Sequence, residues 1–262
     1  MEAVSLATYT HDPGGGLLKA VKERMSLLTD IYDEQFVVVT DATDDVIIAQ
    51  LEDFGCTVAI QEDGVVYERV GDARRMAVSV AADGSRGYMH FVDFDRILQW
   101  AGSHPGELRR VVGEIPRHDF LIIGRTQRAM ESHPVSQRET ERLANKVASL
   151  VLGREVDVTA TSRGLSPEAA RTVLEYSNVK SFETDSEWPV IIQCQSEMRI
   201  GYIEVDGLGF EDWLQYADDV DAAGGLENWK RAKDEDPARW LHRMRLAQMI
   251  AEAALATYNE LA

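Results

Sequence analysis

Short apolar runs alternate along the first half of the chain with segments in which apolar residues recur at helical spacing. The apolar runs predict strands at Val4–Thr8, Phe36–Thr40, Thr57–Ile60, Tyr88–Val92 and Phe120–Ile123. The segments between them predict helices at Leu17–Leu28, Asp44–Asp53, Asp72–Ala81 and Gly106–Val112. Because strand and helix alternate, we expect an α/β fold, with a mostly parallel, Rossmann-like sheet flanked by helices.

The second half of the chain contains fewer strands. Its pattern predicts helices at Pro134–Leu152 and Pro167–Tyr176, a strand at Arg199–Val205, and an amphipathic helix at Pro237–Leu261. We therefore expect residues 1–209 to form the sheet domain, and residues 210–262 to form a C-terminal helical extension packed on it.

Composition narrows the class of protein. The chain has 262 residues, of which 45% are hydrophobic, and a net charge of −18, which is unfavourable for a nucleic acid partner. Its two cysteines stand apart, without metal or redox spacing. A long apolar segment and a signal peptide are both lacking, so we expect a cytoplasmic protein without stable membrane insertion. Homo-oligomerisation stays open.

Two aspartates follow directly after a predicted strand. Asp93 and Asp95 end the run Tyr-Met-His-Phe-Val-Asp-Phe-Asp, and the carboxyl ends of strands are where open α/β sheets bind ligands. Carboxylate pairs hold hard divalent cations such as Mn²⁺ or Mg²⁺. Arg74 and Arg75 precede this strand and offer planar guanidinium groups for phosphate oxygens. An alternative for the two arginines is a surface ion pair.

The order of these motifs resembles the GT-A glycosyltransferases, particularly the family-2-type enzymes that include polyprenyl-phosphate sugar transferases. The similarity covers Val4 to about Tyr202 and includes Phe91-Val-Asp93-Phe-Asp95 and Gly124-Arg125. It implies contacts with a nucleotide-sugar donor from Thr8, Tyr9, Asp12, Asp41, Arg74, Arg75 and Asp93. It also implies an acceptor side that includes Arg125, Ser162, Arg163 and Gly164.

Two departures from the family pattern concern the donor site. The opening motif, Thr8-Tyr-Thr-His-Asp12, lacks the usual Pro-x-x-Asn, and Arg75 stands where the family usually has asparagine. Asp41 is also interpreted equally well as a helix cap or turn residue.

A second acidic cluster lies at Glu183, Asp185 and Glu187, next to Trp188. In enzymes of this kind, an acidic residue before a helix often deprotonates the acceptor hydroxyl or holds the sugar. We therefore expect Asp185, and after it Glu187, to be catalytic, with Trp188 near the acceptor. The alternative is an acidic helix start stabilised by the helix dipole.

Histidine provides a further metal-binding hypothesis. Retaining GT-A enzymes that act on small acids, such as mannosylglycerate synthase, are similar to this chain in a His-Phe-x-Asp-x-Asp run and add a histidine near the carboxyl terminus as a metal ligand. His242 is the candidate here, beside Asp93 and Asp95, since imidazole and carboxylates together suit manganese. A helix-surface histidine is the alternative.

These observations favour a metal-dependent glycosyltransferase that moves a sugar from a nucleotide-diphosphate donor to a hydroxyl acceptor. The acceptor is either a small soluble molecule or a lipid-linked one. An inactive nucleotide-sugar-binding protein of the same fold is one alternative. A nucleotidyltransferase is another, although the chain lacks the Gly-x-Gly-Thr-Arg start of that class.

Overall fold

A computed structural model describes residues 2–62, 69–84, 87–195 and 197–262. These residues form one sheet of seven strands in the order β3-β2-β1-β4-β6-β5-β7. The strands are β1 (Val4–Thr10), β2 (Gln35–Thr40), β3 (Thr57–Gln61), β4 (Tyr88–Val92), β5 (Phe120–Arg125), β6 (Ser162–Leu165) and β7 (Ile200–Val205).

Twelve helices flank the sheet in the same described ranges. In the first half of the chain they are α1 (Leu18–Ile31), α2 (Asp45–Asp53), α3 (Val70–Gly84), α4 (Phe94–Ser103), α5 (Pro105–Glu114) and α6 (Gln127–Glu131). In the second half they are α7 (Val135–Leu152), α8 (Pro167–Tyr176), α9 (Thr184–Gln195), α10 (Ala217–Ala222), α11 (Leu226–Glu235) and α12 (Pro237–Leu261). Short 3-10 turns occur at Ile115–Arg117 and Asp212–Leu214.

The sheet is parallel except around one strand. Strands β3, β2, β1 and β4 run in parallel, with Ala7 beside Phe36 and Leu6 beside His90. Strand β6 lies antiparallel between β4 and β5, while β5 and β7 are parallel again. The mixed, mostly parallel sheet confirms the predicted fold class, and the carboxyl ends of β1, β2 and β4 lie along one edge.

The hydrophobic core has two layers, one on each face of the sheet. Leu6 and Val37 belong to the layer under α1, α2, α4 and α5, whereas their neighbours Ala7 and Val38 belong to the layer under α3, α7, α8, α9 and α12. Successive strand residues point to opposite faces. Burial on both faces explains why the Phe36–Thr40 segment contains an unbroken apolar run.

Local sequence signals explain several helix ends. The Asp44 side chain accepts a hydrogen bond from the Val46 amide at the start of α2. Ser166, followed by a proline, caps α8 as predicted, through the Ala169 amide. Helix α7 ends at Gly153, whose φ of 68° is in the left-handed region that glycine adopts readily.

Two elements were not predicted as such from the sequence: the segment after Asp93 forms α4, and Ser162–Leu165 forms β6. Asp185 and Glu187 of the acidic cluster lie in the first turn of α9, which is the acidic helix start named as the alternative. All four residues of β6 are buried between two neighbouring strands. Tertiary pairing here outweighs the local preference of glycine and serine for turns.

The C-terminal residues pack on the rest of the chain through α12. Helix α12 contacts α7 and α9, and the Ser186 hydroxyl donates to the Ile250 carbonyl oxygen. Asp234 accepts hydrogen bonds from the amides of Val135 and Ser136 at the start of α7. None of the helices in the described ranges has the length and hydropathy required of a membrane span.

Candidate active site

The two aspartates of the Asp-x-Asp motif lie at the junction of β4 and α4. Asp93 is the residue before α4, and Asp95 belongs to its first turn. The junction places both at the carboxyl edge of the sheet, as expected. However, the two side chains have different partners, because they lie on either side of the backbone turn that starts the helix.

Asp95 lies in a group of three carboxylates. Its oxygen and those of Glu211 and Asp212 all lie within 4.8 Å of one another. Glu211 directly precedes the 3-10 turn that contains Asp212, and this turn follows β7. The turn therefore brings two acids from the far end of the sheet to the Asp-x-Asp motif.

Asp95 and Glu211, two of the three carboxylates, have opposite electrostatic environments. Burial, and then the neighbouring charges of Glu211 and Asp93, raise the pKa of Asp95 well above its ordinary value. Burial also opposes the charged form of Glu211. The charge of Arg96, whose Nε lies 3.2 Å away, and the contact with His133 outweigh the effect of burial and lower the Glu211 pKa. Bringing these negative charges together therefore costs free energy, and a bound cation would reduce that cost.

The chemistry of this group fits a hard divalent cation. Glu211 Oε2 is buried and has no hydrogen-bond partner among the described residues, although His133 Nε2 lies 3.4 Å away. A buried carboxylate oxygen without a partner is costly in a folded protein. Three carboxylates supply the oxygen ligands that Mn²⁺ and Mg²⁺ take.

The Asp93 carboxylate forms an ion pair with a buried arginine. Arg74, whose side chain is only 1% exposed, donates from Nη2 to Asp93 Oδ2 (2.8 Å) and from Nη1 to Asp185 Oδ1 (3.0 Å). The guanidinium also lies over the Phe182 ring, 5.3 Å from its centroid. The Arg74 guanidinium thus pairs with both Asp93 and Asp185. Asp93 lies outside the three-carboxylate group.

Asp185 lies in the first turn of α9. The Thr161 hydroxyl donates to Asp185 Oδ1 (2.9 Å), and burial raises the Asp185 pKa against the opposing effect of Arg74 and Arg163. Thr161 has a φ of 49°, which is strained for a β-branched residue. Both side chains line a cavity of about 50 Å³.

Glu187 and Trp188 lie in the core, which corrects their expected place at the acceptor. Glu187 accepts hydrogen bonds from the Asn178 and Val179 amides and from the Ser177 hydroxyl. Trp188 is 1% exposed, packs on Phe91 and donates from Nε1 to Ser177 Oγ. Both residues stabilise the loop before α9, and neither lines the pocket in front of the three carboxylates.

The four residues expected on the acceptor side are also buried. Arg125 forms ion pairs with Asp157 (2.8 Å) and Glu141 (2.7 Å). Ser162 bonds to His90, Gly164 lies against Ile115, and Arg163 donates to backbone carbonyls, including that of Asp185. They hold strands and loops in place, and none of them lines the pocket in front of the three carboxylates.

The residues expected at the donor base lie around the ends of β1 and β2. Thr8 is buried and donates to the Val92 carbonyl oxygen (2.6 Å), and Tyr9 is buried beside it. Asp12 accepts from the Gly16 and Leu17 amides at 3.0 and 2.8 Å. Asp41 is exposed, and its neighbour Asp44, rather than Asp41, caps α2.

Arg75 lies away from the carboxylate group. It pairs with Asp72 and donates to the Ser177 hydroxyl and the Val179 carbonyl oxygen. Of the two adjacent arginines, Arg74 lies beside the Asp-x-Asp motif and Arg75 holds a neighbouring loop.

A pocket of about 440 Å³ opens in front of the three carboxylates. Basic and imidazole side chains of the C-terminal helices also line it, namely Lys233, Arg239, His242 and Arg243. Lys233 and Arg239 lie 2.9 and 3.7 Å from Asp212 Oδ2. Aromatic side chains line it as well, namely Phe182, Tyr216 and Trp229. The pocket therefore combines carboxylates suited to a cation with basic groups suited to an anion.

His242 lines this pocket but lies outside the three-carboxylate group. Burial, together with the positive charges of Arg243 and Arg239, lowers its pKa, which favours the neutral imidazole. Neutral imidazole is the form that binds metal ions.

Glu211, Asp212 and Lys233 were not identified from the sequence. Lys233 donates to Asp212 Oδ2 (2.9 Å) and lies 3.6 Å from the centroid of the Trp229 ring. The signal available for the acids was the Phe-Glu-Asp-Trp run at 210–213, which follows the last strand of the sheet. Carboxylates that follow the end of a strand indicate a ligand site at Glu211 and Asp212 in the same way as at Asp93.

No family model and no curated protein matches the sequence. Among solved structures, the chain is similar to glucosyl-3-phosphoglycerate synthase from Mycobacterium tuberculosis. The structure of that enzyme in complex with Mn²⁺, UDP and phosphoglyceric acid has a TM-score of 0.62 and 15% identity, over 98% of this chain and 78% of that chain. Its complex with phosphoglyceric acid has a TM-score of 0.63 and 15% identity, over 98% of this chain and 80% of that chain.

A likeness at this identity concerns the fold. It extends over 98% of this chain. The resemblance inferred from the sequence motifs is confirmed at this level: the chain has the GT-A fold, with glucosyl-3-phosphoglycerate synthase as a structural neighbour.

Proposed function

We propose that the protein is a divalent-cation-dependent glycosyltransferase that uses a nucleotide-diphosphate sugar. The observation that carries this proposal is the Asp95, Glu211 and Asp212 group, which lines one pocket together with the basic side chains of Lys233, Arg239 and Arg243. The GT-A neighbours, which were crystallised with Mn²⁺ and UDP, support the same kind of reaction.

The cation would be held by Asp95, Glu211 and Asp212, with His242 on the same pocket as a further candidate. A bound divalent cation supplies neutralisation of the negative charge that develops on the departing nucleoside diphosphate. Asp93 has a different role in this proposal. Its pairing with Arg74 keeps a negative carboxylate at the edge of the pocket without placing it on the metal.

The acceptor in this proposal is a small acid. Arg243 lines the pocket and its buried Nε has no hydrogen-bond partner among the described residues, while Arg239 adds a second guanidinium. Guanidinium groups bind carboxylates and phosphates through paired hydrogen bonds. The neighbour's complexes with phosphoglyceric acid and with glycerol 3-phosphate support an acceptor of this chemistry.

The transfer exchanges one bond to the anomeric carbon for another. The acceptor hydroxyl oxygen bonds to that carbon as its bond to the β-phosphate oxygen breaks. The hydroxyl proton leaves with the nucleoside diphosphate or to solvent. Asp185 acts in this scheme as a positioning residue, because its carboxylate holds Arg74, which in turn orients Asp93.

The test is nucleoside diphosphate release. Purified protein is incubated with UDP-glucose or another nucleotide sugar, 3-phosphoglycerate and Mn²⁺, and UDP or its counterpart is measured with and without acceptor. We expect release that requires both cation and acceptor and that is lost in Asp95→Ala. Asp53→Ala, which changes an exposed acid on α2, is the matched control. Cation-independent release would contradict the proposal.

A nucleotide-sugar-binding protein without turnover is the second candidate. Its support is that one buried arginine, Arg74, is ion-paired with both Asp93 and Asp185, which leaves neither carboxylate free of a cationic partner. In that case cation-dependent nucleotide binding, measured by calorimetry, persists while no acceptor produces release of the diphosphate.

A further inference from the structure

Three consecutive glycines, at positions 14–16, lie between β1 and α1, and the last of them touches the turn that carries two of the three carboxylates. A Cβ atom on Gly16 would overlap the Gln215 carbonyl oxygen, and it would lie 2.9 Å from the carbonyl carbon and 3.2 Å from the Cα atom of Gln215. These are backbone atoms, which cannot turn away as a flexible side chain could. Only glycine at position 16 therefore allows the two segments to approach this closely.

The close contact, and not the backbone angle, is what requires glycine at position 16. Gly15 has a φ of 65°, in the left-handed region, whereas Gly14 and Gly16 lie outside that region. Chain neighbours apart, no described residue comes within 4 Å of the place that a Cβ on Gly14 would take. A methyl group is therefore tolerated at Gly14 and excluded at Gly16, although the two positions are only two residues apart.

The side chain of Gln215 binds the same loop. Its Nε2 donates to the His11 carbonyl oxygen (2.7 Å) and to Asp12 Oδ1 (3.2 Å). Asp12 is only 1% exposed, and its carboxylate also accepts from the amides of Gly16 and Leu17. One buried carboxylate thus holds both the glycine loop and Gln215, which is 203 residues away from Asp12 in the chain.

Gln215 is bonded in turn to the backbone of the carboxylate residues. The Gln215 amide donates to the Asp212 carbonyl oxygen (3.1 Å), and the Leu214 amide donates to the Glu211 carbonyl oxygen (2.9 Å). These hydrogen bonds close the 3-10 turn at Asp212–Leu214. Because the turn is short and closed by its own hydrogen bonds, a displacement of Gln215 also displaces Asp212.

We infer that Gly16 and Gln215 are positioning residues for the cation, because they fix the turn that holds Asp212 at its distance from Asp95. This inference rests on the proposed function, since it concerns the same cation site. Asp95 comes from the β4–α4 junction, so the three-carboxylate group is complete only while the turn is held against the loop after β1. Metal sites tolerate changes of only about 0.2 Å in ligand distance. Residues that orient metal ligands typically contribute about 10- to 100-fold in affinity.

Alanine at two of the glycines tests the contact. Mn²⁺, without nucleotide, is titrated into the wild type, Gly16→Ala and Gly14→Ala, and its dissociation constant is measured by calorimetry. We expect Gly16→Ala to raise this constant at least about tenfold, since the added methyl group displaces the turn by more than a ligand bond tolerates. Gly14→Ala is the matched control and keeps the wild-type constant. Circular dichroism and urea denaturation show whether each variant is folded and how stable it is.

Gln215→Met tests the side chain independently of the glycine. Methionine has a similar length but cannot donate, so both hydrogen bonds to the loop are lost, and we expect the Mn²⁺ dissociation constant to rise roughly tenfold. Gln248→Met, at an exposed glutamine on α12, is the control. Wild-type Mn²⁺ affinity in either folded variant, Gly16→Ala or Gln215→Met, overturns the inference even if stability falls, and leaves the proposed function standing. A wild type that binds no Mn²⁺ overturns both, because the turn would then have no cation to position.

Discussion

At the scale of single residues, the Asp-x-Asp motif divides into two roles. Asp95 joins Glu211 and Asp212, whereas Asp93 pairs with the buried Arg74. The sequence placed both aspartates correctly at the end of β4. It could not assign their partners, because Glu211 lies more than a hundred residues away in the chain and is brought near only by the turn after β7.

Arg74 is expected to be important for stability, unlike its neighbour Arg75. Arg74→Met leaves Asp93 and Asp185 without their shared cation, and breaking a buried ion pair costs about 3–5 kcal/mol in the free energy of unfolding. Arg75→Met, at a site that is partly exposed, is expected to cost about 1 kcal/mol. Urea denaturation measures both values. Equal losses in the two variants would contradict this assignment.

Lys233 is expected to compete with the cation. Its ammonium lies 2.9 Å from Asp212, so Lys233→Gln removes a positive charge from the three-carboxylate group. We expect Mn²⁺ affinity in the absence of nucleotide to rise roughly tenfold, measured by calorimetry. Lys230→Gln, on the same helix but paired with Glu227, is the control. Unchanged or weaker Mn²⁺ binding in Lys233→Gln would show that the lysine does not compete.

His90 is expected to make stability depend on pH. It is buried between Tyr32 and Ser162, and burial lowers its pKa from 6.5 to about 3. Below pH 6.5 the unfolded chain therefore takes up a proton that the folded protein does not, so this contribution to stability is lost as the pH falls from 6.5 towards 3. The loss is about 1.4 kcal/mol per pH unit.

The measurement compares pH profiles of unfolding. Urea denaturation of the wild type and His90→Gln between pH 6 and 4.5 should give a shallower pH dependence for the variant, by about 1.4 kcal/mol per unit. His104→Gln, at an exposed site, is the control. Parallel profiles for the wild type and His90→Gln would contradict a neutral buried imidazole.

At the scale of elements, the sequence was most informative where one signal dominated. Strand β4 and helices α8 and α12 have the predicted bounds, since an apolar run, a Ser-Pro start and a long amphipathic period each identify them. The start of α9 was recognised only as an alternative, and its extent was not predicted, because both of its faces are buried and Pro189 interrupts its pattern. A helix buried on all sides has no polar face to indicate its period.

The contact between the C-terminal helices and α7 gives an element-scale prediction. Asp234, from α11, accepts hydrogen bonds from the amides at the start of α7. Asp234→Ala leaves these donors unpaired, and losing a helix cap costs about 1 kcal/mol. We expect that loss in urea denaturation, whereas Asp221→Ala, an acid on the exposed helix α10, should cost less than about 0.5 kcal/mol. An unchanged Asp234→Ala variant would contradict the capping role.

At the scale of the whole molecule, the sequence predicts two parts, residues 1–209 and 210–262, and the question is whether the first folds without the second. Helix α12 contributes Ala247, Ile250 and Ala254 to the core layer under one face of the sheet. We therefore propose that the extension folds together with the domain. A protein ending at residue 209 is expected to lose cooperative unfolding, measured by calorimetry. A sharp transition in the shortened protein would show that residues 1–209 fold independently.

The net charge of −18 constrains the anionic substrate that we propose. A chain this acidic is unfavourable for phosphates, and the basic side chains of α11 and α12 around the pocket are a local exception. We therefore expect the C-terminal extension to supply the anion-binding side chains of the proposed site.

The most direct test of the three-carboxylate site is Mn²⁺ affinity, measured by calorimetry in the presence of UDP, for Glu211→Gln and Asp93→Asn beside the wild type. Both changes remove one negative charge while keeping similar size. We predict that Glu211→Gln weakens Mn²⁺ binding at least about tenfold and that Asp93→Asn weakens it much less. The reverse order would place the cation on the Asp-x-Asp pair and contradict the three-carboxylate site.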